Sequence, residues 1–119
     1  METPYNIQER TFAFAVRIVN FCRTLGTAHP VTRTLSWQLL DSATSTGANM
    51  EEADAGQSRR DFIAKTAIAK KEARENVFWL RLIAATDLQQ RPAVIPLLDE
   101  AKQIARIITA IKKSAERNE

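Results

Sequence analysis

The chain has 119 residues, 45% of them apolar and 26% charged, and a net charge of only +3. Those proportions fit one soluble globular domain spanning 1–119 and exclude a disordered chain; no run of about 18 uncharged apolar residues offers a membrane span. With one cysteine, Cys22, and one histidine, His29, the chain has no disulfide framework, no thiolate cluster and no histidine pair for a metal. No cofactor, small-molecule substrate or membrane partner is expected. Met1 to Gln8 carries Glu2 and Pro4 where a secretory signal needs a basic start and an apolar block, which points to a cytoplasmic location.

Three Gly and four Pro punctuate long Ala-rich segments whose apolar residues recur three and four apart, the pattern of helices. The first helix is predicted over about Ile7 to Leu25, with Phe14, Ile18, Phe21 and Leu25 as its inner stripe and Gly26 as its C-terminal cap. Phe12, Val16 and Val19 fall nearly opposite that stripe. The apolar arc therefore covers roughly 220°, more than a monomeric bundle requires, and the second face is assigned to another subunit.

The second helix is predicted after His29-Pro30, with Thr32 or Thr34 as cap, His29 in the loop and a stop near Ala55-Gly56. Ser42, Thr44, Ser45, Thr46 and Gly47 are poor helix formers, so a bend or a very close helix contact is expected there. The third helix starts at a Ser58/Asp61 capping box and runs to about Asp87. The fourth follows Gln89 to Arg91, with Pro92 and Pro96 in or before its first turn and a seam of Val94, Leu98, Ala101, Ala105 and Ile108, flanked by Leu97, Ile104 and Ile111 and ending in Lys112-Lys113. Short connections between four amphipathic helices predict an all-α, up-down-up-down antiparallel four-helix bundle.

Gln38, Ser42, Ser45, Asn49 and Glu52 are spaced 4-3-4-3 and line one edge of the second helix. They form either a ladder of hydrogen bonds fixing helix register or a seam for a ligand or partner, with Glu72 and Asn76 of the third helix as partners in both cases. Glu51, Glu52 and Asp54 end the second helix while Arg59 and Arg60 open the third, both against the helix dipoles, and pairing across the turn would offset that cost. Di-iron bundles need Glu-x-x-His pairs, and none occurs.

Arg59, Lys70, Arg74 and Arg81 project along one face of the third helix, with Arg60 and Lys71 beside them. Residues 57–88 hold seven basic and four acidic groups, net +3, against one and four, net −3, in 31–56. Such a stripe can track phosphates or be ordinary solvated surface; no aromatic residue interleaves it. Phe78, Trp79 and Leu82 add an apolar surface away from the inner stripe, as Trp37 does on the second helix, suited to a neighbouring subunit or to a peptide groove. Cys22 reads as a small core residue.

The run Leu35-Ser36-Trp37-Gln38-Leu39-Leu40, then Ser45-Thr46-Gly47-Ala48-Asn49-Met50-Glu51-Glu52-Ala53, then Arg59-Arg60-Asp61-Phe62 resembles the four-helix-bundle family of proteins encoded in intervening sequences of bacterial 23S rRNA genes. Ala67 to Leu82 and Arg10 to Val19 continue the likeness, and Ser-x-Gly-Ala-Asn-x-x-Glu is its most specific segment. The resemblance implies a compact bundle assembling into a ring-like pentamer, without established catalytic activity and with a weak association with nucleic acid; related accessory proteins of diversity-generating retroelements work beside a reverse transcriptase. The polar positions it carries over are Gln38, Ser45, Asn49 and Glu52. Leu40 and Asp41 stand where many members are basic, and Ala53 where many have Gly. The expectation is a non-enzymatic homo-oligomer acting as a nucleic-acid-associated accessory or scaffold protein, with a pure protein-protein adaptor as the alternative.

Overall fold

A computed structural model describes residues 6–56, 58–87 and 89–117. It contains four helices, α1 (Ile7–Leu25), α2 (Pro30–Asp54), α3 (Arg59–Thr86) and α4 (Arg91–Arg117), packed into a rod of 48 × 20 × 18 Å. The cross-helix neighbours run in opposite directions along each pair. Cys22 meets Ser36 while Thr11 meets Gly47, and Ser42 meets Asn76 while Glu52 meets Lys65. Arg10 on α1 reaches Glu100 on α4 and closes the up-down-up-down ring.

The helix ends follow from local chemistry. Gly26 has φ +76°, a left-handed conformation that a side chain would strain, and it stops α1 where the sequence places the cap. The α2 start differs from the expectation: His29 itself is the N-cap, its Nδ1 accepting from Val31 N at 3.1 Å, and Pro30 occupies the first turn. An imidazole nitrogen serves there as a carboxylate or hydroxyl would, satisfying one of the orphan amides. At α3 the Ser58 hydroxyl accepts from Asp61 N at 3.1 Å, half of the expected capping box. Pro96 lies in the second turn of α4, past the first-turn position expected; it is exposed, so the carbonyl it leaves without an amide partner is open to water.

The core joins Phe14 and Ile18 of α1, Leu39 and Met50 of α2, Leu80 of α3, and Ile104 and Ile108 of α4. Between these large groups sit Ala43, Ala69, Ala73 and Ala101, whose small side chains let the helices approach closely. Gly47 resolves the α2 question: the helix runs unbroken, and the weak formers accommodate a close contact in which an ideal Cβ would lie 3.5 Å from Thr11 O. On α4 the buried line is Val94, Leu97, Ala101, Ile104, Ile108 and Ile111, while Leu98 and Ala105 of the expected seam are half-buried. That small rotation puts both residues on the shoulder facing α3.

Candidate nucleic-acid interface

That shoulder floors a groove. Lys70 and Arg74, one turn apart on α3, face Arg106 and Lys113, two turns apart on α4, across Ala105, Thr109 and Ala110 in a depression of about 540 Å³. No carboxylate lines it, and none of the four cations forms an ion pair among the described residues. Lys71 and Ala67 extend the basic surface around α3 from the same pair. Four like charges held beside a small-residue floor raise the local potential for an anion and leave room for a phosphate backbone to approach.

Along the same groove, Phe78, Arg81, Leu82 and Ala85 of α3 face Arg91 and Leu98 of α4 around a hollow of about 420 Å³. Arg91 Nε donates to the Ala84 carbonyl at 2.9 Å, which pins its guanidinium across the gap. Phe78 is 53% exposed and stands between the Arg74 and Arg81 positions of the stripe, so an aromatic ring does interleave the cations, contrary to the expectation. Arg59, at the first turn of α3, does not line the groove. The apolar seam of α4, which ends at Lys112-Lys113, does not by itself assign Arg91, Arg106 or Lys113 to a site; the seven-residue spacing of Arg106 and Lys113 on the edge of that seam is the available signal.

The polar seam of α2 divides. Ser42 and Thr46 are buried and grip Asn76 of α3: Ser42 Oγ donates to Asn76 Oδ1 at 2.6 Å, and Asn76 Nδ2 donates to Thr46 Oγ1 at 3.2 Å. Asn49 is half-buried and bonds within its own helix, to Ser45 O at 2.9 Å and Ser45 Oγ at 3.2 Å. Gln38 is half-buried and Glu52 exposed, the latter paired with Lys65 at 2.9 Å. The register ladder therefore runs through Ser42, Thr46 and Asn76, one step around the wheel from Asn49 and Glu52.

Glu72 is half-buried and does not join Asn76, whose amide is committed to α2. Burial pushes its carboxyl pKa up, and the nearby carboxylates of Glu75 and Asp41 push it further, against a weaker opposite pull from Lys71. Among the described residues no three His, Cys, Asp or Glu side chains converge as metal ligands. Cys22 is half-buried, donates to Ser36 O at 3.6 Å and has its thiol pKa raised by burial, a setting that suppresses the thiolate. No helix of the described residues is long and apolar enough to cross a membrane.

Of the apolar residues assigned to a subunit contact, Phe12 is 64% exposed, Val16 is exposed and Val19 half-buried, all on α1. Trp79 is half-buried against the core and meets Phe78 edge to face, with ring centroids 4.9 Å apart. Trp37 on α2 is 66% exposed.

A four-helix bundle with a cationic groove between α3 and α4 is thus the class of protein that fold and surface define. Residues 4–110 match the model of the 23S rRNA-intervening sequence protein family, and the chain belongs to that family. It is similar to a crystal structure of a protein of unknown function from the S23 ribosomal protein family of Bacteroides thetaiotaomicron VPI-5482. The TM-score is 0.78 and the identity 36%, over 90% of this chain and 95% of that one. No protein of curated function matches the sequence.

Proposed function

We propose that the protein is a non-enzymatic, cytoplasmic, ring-forming accessory protein, pentameric as the family resemblance implies, that holds nucleic acid along the α3–α4 groove. The observation that supports this reading is the convergence of Lys70, Arg74, Arg106 and Lys113 without a facing carboxylate. A protomer of net charge +3 attracts phosphates weakly, but a ring repeats the groove and adds contacts along one strand. The exposed apolar face of α1 around Phe12 and Val16 supplies surface for that assembly.

Titration of labelled RNA and DNA at about 50 and 200 mM salt tests the groove. Each neutralised phosphate contributes a slope of about −0.7 in log affinity against log salt for a single strand, so four cations give about −3 per protomer. Replacing Lys70 and Arg74 together by Gln should weaken binding and flatten that slope. If the wild type shows no binding at the lower salt, or the variant binds equally well, the groove is solvated surface. The exposed Trp37 then favours the second reading, a protein-protein adaptor.

A further inference from the structure

We propose that the hollow walled by Phe78, Arg81 and Arg91 seats an unstacked base, so that the α3–α4 groove selects single-stranded over double-stranded nucleic acid. The inference rests on the groove being the nucleic-acid surface and adds what part of the nucleic acid it takes.

The hollow differs in chemistry from the rest of the groove. Near Arg106 and Lys113 the lining is cationic over Ala and Thr, suited to phosphates alone. Near Phe78 the lining is Leu82, Ala84, Ala85 and Leu98 together with an exposed phenyl ring and the Arg81 and Arg91 side chains. A phosphate gains nothing from a leucine lining. A nucleobase does, because every base has a flat face that stacks on an aromatic ring or a guanidinium plane whatever its sequence.

The ring is held for that role. Phe78 packs edge to face on Trp79, which is half-buried against the core, and this contact limits ring movement while leaving the phenyl more than half exposed. Arg91 is fixed through Nε to Ala84 O, which leaves its terminal NH2 groups as donors toward a base edge or a neighbouring phosphate. Contacts within the chain thus hold the Phe78 ring and the Arg91 guanidinium at the hollow, which lowers the entropic cost of binding.

Size and path agree. At about 1.5 Å per residue, α4 from Arg91 to Lys113 runs about 33 Å. A strand entering with one base in the hollow can lay its backbone past Arg74 and Arg106 to Lys70 and Lys113. In duplex DNA the bases are stacked and paired inside the helix; extracting one costs a few kcal/mol. The hollow therefore rewards a single strand and leaves a duplex with the cations only.

The test titrates a fluorescein-labelled single strand of mixed sequence, and the same strand annealed to its complement, into the full chain at about 50 mM salt. The single strand should bind the wild type at least tenfold more tightly than the duplex. Phe78→Ala should weaken single-strand binding roughly 5- to 150-fold, the range of one lost base stack, and leave duplex binding unchanged. Phe78→Leu keeps the apolar bulk without the π-face and should lose affinity as Phe78→Ala does, while Phe78→Trp should retain it. Light scattering on each variant separates a change in assembly from a lost stack, and Phe78→Leu decides if Phe78→Ala alters assembly. Equal wild-type affinity for the two forms, or Phe78→Leu binding like wild type, overturns the base-seating inference while the groove reading stands. No binding of either form to the wild type removes the groove reading and this inference together.

Discussion

Asn76 of α3 accepts a hydrogen bond at Oδ1 from the Ser42 hydroxyl of α2 at 2.6 Å, and both residues are buried. With its Nδ2 on Thr46, the one amide spans a full turn of α2 and sets the axial position of the two helices. Sliding one helix by a residue would strip the buried Asn76 amide of both partners, at about 1–3 kcal/mol for each group left unpaired, while Ser42 and Thr46 keep bonds to the Leu39 and Ser42 carbonyls of their own helix. Asn76→Ala should therefore lower stability by about 2–4 kcal/mol, combining lost bonds with the space left behind. Asn49→Ala, which removes only bonds to Ser45 in the same helix, should cost under about 1 kcal/mol. Urea unfolding of the two variants at one protein concentration checks the ranking; equal losses would show that Asn49 has a partner beyond its own helix.

Gly47 offers a second measure of the α1–α2 contact. Its ideal Cβ would sit 3.5 Å from Thr11 O and 3.7 Å from Thr11 C, ordinary van der Waals distances. A methyl group fits, and Ala gains about 1 kcal/mol of helix propensity over Gly, so Gly47→Ala should hold or raise the melting temperature. Gly47→Leu drives branched carbons into the Thr11 backbone and should cost about 1–3 kcal/mol, with the helices forced apart. A Gly47→Ala variant that melts well below wild type would mean that the helices approach more closely than this.

The residues that sequence made legible are those whose role follows from their own helix. The stripe of Phe14, Ile18 and Phe21, the Gly26 stop and the Ser58 cap each depend on local spacing or local backbone chemistry, and each appears where the pattern puts it. The seam on α2 was legible as a polar edge, but a helical wheel carries no information on which of two adjacent rows meets the next helix. Asn76 of α3 sits opposite Ser42 and Thr46 because the α2–α3 register brings it there, and that register is set by the whole interface. The groove shows the same division: Lys70 and Arg74 were visible on α3, whereas Arg106 and Lys113 become part of a site only when α4 is laid antiparallel beside them.

Glu72 gives a pH signature. Its carboxyl pKa lies above the ordinary value because burial, Glu75 and Asp41 all disfavour the charge. Between the unfolded and the folded pKa the native state holds more protons than the unfolded chain, so stability falls as pH rises through that window. Below it the penalty is absent; above it the penalty is complete. Glu72→Gln should raise the melting temperature at neutral pH, and the gain should vanish as pH drops to the ordinary carboxylate range. A gain that persists unchanged in acid would assign the effect to packing instead of charge.

Val16 connects assembly to binding. It is exposed on α1, whose residues do not line the basic groove, so Val16→Glu changes neither the core nor the cations facing nucleic acid. If α1 supplies the subunit contact, a carboxylate placed there loses its hydration without a partner, at a cost of several kcal/mol that overwhelms a moderate association energy. Light scattering should then show wild type well above the 13.4 kDa of one chain and the variant shifted toward it, with circular dichroism unchanged. Nucleic-acid affinity should fall at least tenfold in the same variant at about 50 mM salt, because separate protomers lose the gain from contacts made on one strand. A wild type that runs as a monomer would end the assembly reading. A variant that dissociates yet binds as tightly as wild type would instead confine the affinity to a single groove, and the four cations of one protomer would have to account for all of it.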